Sequence, residues 1–272
     1  MSESKASRDM ILDSPVSRKT ISDSSMATAK FSAGEAGIAP SDYANFDFVA
    51  ASELAMKYIV SSEGAMNVVG LSVSARDAII ASDVAYKAVT DSDMAVAKFA
   101  VGAAGLDPAD YANMSVVAAS SVAMESIIAN TNALNTVVAS SVAIGAITSS
   151  TTAKNAVLAS TTALNALDAS PLAKTMSSAG TVTGKGFVIS YSVQSNGGYY
   201  SYGGYSVTID SVVASHTASS SDASSNPGPN TTASDKHKFF NTKIALAFTT
   251  GRNSAGSGQV TGSGSMKYIL GS

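Results

Sequence analysis

Four tyrosines crowd into seven residues of the segment NGGYYSYGGY (196–205), and they are the side chains of this chain best suited to binding. Tyr199, Tyr200, Tyr202 and Tyr205 each offer a flat apolar face and a phenol donor. That chemistry suits stacking on a sugar or packing on a protein receptor at low side-chain entropy cost. The same rings would also serve to cover the end of a β-domain or a trimer axis, and the sequence leaves both readings open. Other candidates carry less. The run Asp235-Lys236-His237-Lys238 holds one of only two histidines, the other being His216, and a lone histidine in a charged turn is expected to be solvated. Glycine strings such as TGSGS (261–265) lack the Lys-Ser/Thr of a phosphate loop and do not precede a helix. Asn230-Thr231-Thr232 matches a glycosylation acceptor, which matters only in a chain secreted by a eukaryote. With no cysteine there is neither a disulfide framework nor a thiolate metal site. The expectation is a protein without catalytic residues, cofactor or metal.

The elements that carry these residues are set by a ten-residue repeat. From Ser52 the chain reads SELAMKYIVS, SEGAMNVVGL, SVSARDAIIA, SDVAYKAVTD, and the unit returns from Ser120 as SSVAMESIIA, NTNALNTVVA, SSVAIGAITS. Such self-similarity marks a stack of small modules. The first position is Ser, Asn or Asp, the residues whose short side-chain oxygen caps a helix N-terminus. Ala three residues on and a large apolar residue seven on are spaced i, i+4 and share one helical face, as in Ala65 and Val69. Each unit therefore reads as a cap, about two turns of amphipathic helix and a short exit. One continuous coiled coil is excluded, because ten residues at about 100° each throw the apolar stripe roughly 80° out of register per unit. Carboxylates such as Asp83, Asp91 and Asp93 fall near the caps and read as helix-start residues.

A second period lies above the first. The stretch from Ser22 to Phe46 returns 68 residues later, from Thr90 to Met114, with eight-residue inserts GEAGIAPS (34–41) and GAAGLDPA (102–109). Gly34 and Gly102 are expected as helix stops, and Asp42 and Asp110 as the caps of the next helices after Pro40 and Pro108. The inserts read as kinks or collars rather than binding loops.

Helices this short are not stable alone in water, and a core of alanine and single branched aliphatics is thin. The expectation is a homotrimer whose chains share that core. A net charge of −3 gives no basic footprint for nucleic acid. No apolar run is long enough to cross a membrane, and the start MSESKASRDM lacks a signal-peptide core.

After Ser170-Pro171 the repeat decays through a small, flexible junction at 177–186. GFVISYSVQ (186–194) and YSVTIDSVV (205–213) alternate as strands, HKFFNTKIALAFTT (237–250) has the length of one long strand, and GSGQVTGSG and SMKYIL supply two shorter ones. The tyrosine segment is then the hairpin between the first two strands, and 215–237 a long polar loop. The fold class expected is α+β in separate regions. Residues 1–179 form an elongated helical decapeptide-repeat shaft, a trimeric supercoil; residues 180–272 form a small antiparallel β-domain at its distal tip.

The units S-x-x-A-M-x-x-V-V, as in Ser62 to Val69, joined to a Gly/Tyr-rich β-tip resemble fibre proteins of tailed bacteriophages, in particular head fibres and some tail fibres of short-tailed phages. The resemblance covers residues 4–176 and says little about the tip. It implies a non-enzymatic virion protein made in the host cytoplasm, a homotrimer docked by its N-terminal end on capsid or tail proteins. Its C-terminal tip would meet a host surface polysaccharide or receptor, with no nucleic acid and no membrane insertion. The rival readings are a bacterial surface adhesin with a repeat stalk, against which the missing signal stands, and a tailspike that cleaves polysaccharide. The latter needs paired acids on a large β-scaffold, whereas Asp210, Asp222 and Asp235 are the only carboxylate side chains of the last third.

Overall fold

A computed structural model describes residues 4–198, 201–218, 230–252 and 260–272. The chain is α+β in separate regions and divides into two compact units, Met1–Ala166 and Leu167–Ser272. Among the described residues, fifteen α-helices run from Lys5–Leu12 to Thr161–Asp168, and two 3-10 turns lie at Pro40–Asp42 and Pro108–Asp110. None of these helices is long and apolar enough to cross a membrane.

The cap positions do in the structure what their chemistry predicts. The hydroxyls of Ser52, Ser62, Ser72, Ser82 and Ser92 accept from the backbone N–H three residues on at 3.2–3.3 Å, and Asn130 does so at 3.0 Å. A cap of this kind stabilises its helix by about 1 kcal/mol. Several of these residues end one helix and begin the next. Ser72, Ser82, Ser120, Asn130 and Ser150 all have extended backbone, Ser82 at φ −114° and ψ 114°, so a single residue breaks the helix and redirects the chain.

The capping groups have a second bond that the repeat pattern did not disclose. Ser82 donates to the Ala50 carbonyl at 2.7 Å and Ser150 to Ala118 at 2.6 Å, each 32 residues back and each the equivalent of the other in the 68-residue period. Asn130 Nδ2 likewise donates to the Ala103 carbonyl at 2.9 Å. A hydroxyl or amide can accept and donate at once, whereas a carboxylate can only accept. This accounts for Ser and Asn, rather than Asp, at the stacked corners. A step of about three decapeptides thus separates Ser82 and Ser150 from the corners they rest upon, whereas Ser140, beyond the second insert, donates to the Thr90 carbonyl 50 residues back. Helix Glu63–Leu71 packs on Asp93–Ala103, three helices further along.

That stacking already buries the apolar face of the repeat within one chain. The +3 alanines of the decapeptides from Ala55 to Ala153 are inaccessible, and the +7 residues from Ile59 to Val157 are at most 3% exposed, all within one chain. Met56 and Met66 at +4 are equally buried. A flat pair of helices would leave such a stripe half wet; helices stacked on those three further along enclose it.

The inserts also differ from expectation. Gly34 and Gly102 lie inside helices Ser25–Glu35 and Asp93–Ala103, and the stops are Gly37 and Gly105, whose φ of 74° and 83° is left-handed. The N–H of Ile38 reaches back to the Ala33 carbonyl and that of Leu106 to Val101, the bonds that close a helix on a glycine. The next caps are Asn45 and Asn113, not Asp42 and Asp110, which end the 3-10 turns. Asp91 likewise ends its helix, where Lys87 pairs with it, instead of starting one. The second insert is pinned by two cations. The buried Lys98 ammonium donates to the Pro108 carbonyl and to Glu63, both at 2.9 Å, and Arg18 pairs with Asp107 at 2.6 Å.

The C-terminal unit contains two antiparallel sheets around one core. Its strands are β1 (Lys174–Met176), β2 (Gly180–Thr183), β3 (Lys185–Ser195), β4 (Gly197–Gly198), β5 (Ser201–Ile209), β6 (Val212–Thr217), β7 (Thr231–Phe240), β8 (Lys243–Arg252), β9 (Val260–Thr261) and β10 (Ser263–Gly271). One sheet has the order β1-β10-β3-β7; the other has β2-β8-β5-β4, with β6 also on β5 and β9 on β8. Val188, Val193, Phe240 and Met266 of the first sheet pack with Val207, Ile244 and Leu246 of the second, as in a sandwich.

Three strand expectations are corrected. The run 205–213 folds back at Asp210-Ser211, where Ile209 pairs with Val212 and Asp210 has φ 56°. A two-residue hairpin needs positive φ, which aspartate tolerates better than most residues. The run 237–250 breaks at Asn241-Thr242 and passes from one sheet to the other. The polar stretch 215–237 is strand at both ends, to Thr217 and from Thr231; residues 219–229 lie outside those described.

Candidate functional site

The tyrosine segment is a crossing between the sheets rather than a hairpin joining β3 to β5, since those strands belong to different sheets. A short β4–β5 pairing of Gly197 with Tyr202 and Gly198 with Ser201 occupies it. Tyr199 and Tyr200 lie outside the described residues. Tyr202 is half-buried and lies over its cross-strand partner Gly251: a Cβ there would come within 2.2 Å of the tyrosine Cζ. The glycine leaves the space that the ring fills.

Tyr205 is a correction. It is 6% exposed, belongs to the core of the unit, and stacks on His216 with centroids 6.2 Å apart. It shares the parity of Val207 along β5, which turns it inward. His216 Nδ1 lies 2.9 Å from the hydroxyl of the buried Ser195, which also accepts from Thr231 N at 3.2 Å. His237, expected to be solvated in a turn, sits in β7 at φ 57°. It lies opposite Ile189, where the β3–β7 pairing skips one residue on each strand between Lys236↔Ser190 and Lys238↔Val188 without a change of register. Its ring stacks on Phe187 at 5.8 Å and its Nε2 lies 3.0 Å from Asp168. Both histidines are therefore held by packing and hydrogen bonds within the unit. Among the described residues no three His, Asp or Glu side chains converge as metal ligands.

Asp210 fastens the turn it belongs to. Its carboxylate accepts from the backbone N–H of Asn241 and Thr242 and from the Thr242 hydroxyl at 2.7–3.0 Å, while its own N–H donates to the Lys243 carbonyl at 2.8 Å. Burial raises its pKa, but the bonds from Asn241, Thr242 and Lys243 outweigh that and hold it below the usual 3.8. A carboxyl with a depressed folded pKa gives stability that is present above its unfolded value and is lost as pH falls through the folded one. Asp210→Asn should accordingly lower the stability of the C-terminal unit by about 1 kcal/mol at neutral pH, solvent screening trimming the share due to charge. The deficit should vanish in acid, below the folded pKa. Urea unfolding of both proteins at neutral pH and near pH 2 checks this; equal stability at neutral pH would show that the carboxylate does not hold the turn.

Beside that turn, a cleft of about 420 Å³ opens between β6 and β7, each an edge strand of its sheet. Tyr191, Val207 and Ile209 line it with Val212 and Ala214 of β6 and Asp235, Lys238 and Phe239 of β7. Cross-strand partners share a face, and Asp235 pairs with Tyr191, Lys238 with the buried Val188. Both charges therefore face the space between the sheets, where a sandwich ordinarily carries apolar side chains. Lys238 Nζ lies 3.4 Å from Asp235 Oδ2, with both side chains about half exposed. Burial, then the Asp235 charge and Tyr205, push the Tyr191 phenol above its ordinary value. Nothing in the sequence marked this group as a whole, because its members lie in four strands and only the tertiary fold brings them together.

No family model matches the chain, and no curated protein matches it.

Proposed function

We propose that the chain is a non-enzymatic structural fibre protein of a phage virion, its N-terminal end docked on capsid or tail, its helical repeats forming the shaft and its C-terminal region contacting the host surface. The observation that carries this reading is the decapeptide array, whose 68-residue period recurs in corner hydrogen bonds such as Ser82 to Ala50 and Ser150 to Ala118. In such an array each unit contacts its near neighbours along the chain, so length is gained by adding units without redesigning the core. That property suits a spacer. The homotrimer follows from the resemblance. The repeat core closes within one chain, so chains would associate through other surfaces, for which the exposed +2 aliphatics Val16, Leu54, Val84 and Val122 are available. A surface adhesin with a repeat stalk remains the alternative.

Light scattering on the purified chain should return three times 27.3 kDa. A mass of 27.3 kDa with undiminished helical circular dichroism would refute the trimer and leave the repeat fold standing. Electron micrographs of particles assembled with and without the gene test the virion assignment. Loss of a fibre on deletion supports it; unchanged particles refute it.

A further inference from the structure

We propose that the cleft between β6 and β7 is a saccharide site that takes a neutral sugar through two adjacent hydroxyls. This goes beyond the fibre reading and does not require it, since the argument uses only the C-terminal unit. Three observations support it.

The first is the inward charge pair. Asp235 supplies an acceptor and Lys238, 3.4 Å away, a donor, both in a space walled by Val207, Ile209, Val212 and Ala214. A few convergent polar groups set in a mainly apolar concavity are the usual composition of a small-molecule site. The second is the spacing. One hydroxyl of a vicinal diol would donate to the carboxylate while its neighbour accepts from the ammonium, an arrangement in which both partners are charge-assisted. Since the two charges offset each other, a charged ligand loses to one partner what it gains from the other, whereas a neutral polyol bonds to both. The third is the wall. Val212 is 72% exposed at the rim and offers a surface for the C–H face of a ring, and the Tyr191 hydroxyl adds a further polar contact. About 420 Å³ falls at the lower end of the ligand-pocket range, which accommodates about one or two sugar rings.

The competing explanation is that the pair only guards the edge of β7 against other strands, as inward charges on edge strands do. Saturation-transfer difference NMR on the full chain separates the two. The probes are methyl glycosides of glucose, galactose, mannose and N-acetylglucosamine, together with maltose, and the controls are glucuronate and glucosamine. Saturation should reach the ring protons of at least one neutral probe. The double variant Asp235→Asn/Lys238→Met, which leaves no lone charge behind, should weaken that probe about tenfold or more with the melting temperature unchanged. Val212→Glu, placed on the exposed rim, should weaken it too and gives an arm independent of the charge pair. The proposal is overturned if no neutral probe is saturated, if glucuronate or glucosamine binds more tightly than every neutral sugar, or if the double variant binds like the original. Sugar binding by the chain together with particles left unchanged by deletion of its gene would count against the fibre reading and not against this site.

Discussion

Gly102→Val should unfold the helical unit at moderate temperature, the largest effect expected of any single substitution in the repeat region. Gly102 and Gly70 face each other where helix Asp93–Ala103 crosses Glu63–Leu71. A Cβ on Gly102 would lie 2.0 Å from the Gly70 carbonyl oxygen, and one on Gly70 would lie 2.5 Å from the Lys98 carbonyl oxygen. These neighbours are backbone, so no rotamer change relieves the clash, and the helices must separate. Separation also disturbs the buried Lys98 ammonium, whose bonds to Glu63 and Pro108 span the same junction. Overpacking of a rigid core costs about 1–3 kcal/mol, and a backbone contact with a buried charge beside it belongs at or above the top of that range. Gly105→Ala is the control: its Cβ meets nothing within 4 Å, but its φ of 83° strains any L-residue, which costs about 1–2 kcal/mol. Thermal melts should rank Gly102→Val far below Gly105→Ala, with Gly102→Ala between them. Equal melting temperatures for all three would mean that the two helices do not approach so closely.

Deleting five residues from the array should damage it far more than deleting ten. Removal of Ser140–Ser149 takes out one cap, one helix and one +3/+7 pair, so the following unit meets its neighbours with a serine, an alanine and a valine in the vacated places. The corner bond from Ser150 is the element at risk, because a deletion of one unit moves it by a third of a layer relative to Ala118. A loss of about 1–2 kcal/mol is expected there, the scale of one buried hydrogen bond. Removal of Ser140–Gly145 less one residue, that is 140–144, has another outcome. It joins the end of helix Thr131–Val138 to the second half of the next helix without a cap, and it strips out Ala143 and Ile144, both buried. Helical circular dichroism and the urea midpoint should both fall sharply for the five-residue deletion and only slightly for the ten-residue one. Equal stability of the two would refute the assignment of caps and core positions.

Much of the helical unit was legible in the sequence because its determinants are local. A cap satisfies an N–H three residues away, and the i, i+4 pair marks the buried face, so Ser62, Ala65 and Val69 declared their roles from spacing alone. The errors came where local chemistry was ambiguous. Asp42 is in phase with the serine caps, yet Asn45 three residues on fulfils the role, because the 3-10 turn after Pro40 delays the helix. Gly34 looked like a stop, but only Gly37 takes the left-handed φ that ends the helix. Along β5 and β7, composition predicted strands without predicting their breaks at Asp210 and Asn241, which depend on turns bonded to each other across the unit.

By itself, then, the sequence determined short capped helices with an Ala and aliphatic face, followed by an antiparallel β-region. Only the tertiary structure decided that the face closes within one chain. The extended residue at each corner sets the turn between successive helices, and whether three such turns complete a layer is a property of accumulated angles that no single decapeptide contains. The same holds for the β-unit. Tyr205 became core through strand parity and packing, while Tyr191, Asp235 and Lys238 became neighbours through the register of β3 on β7, a pairing across more than forty residues of chain. Contacts of that kind carry no local signal, because what fixes them is the burial of both sheets' apolar faces at once.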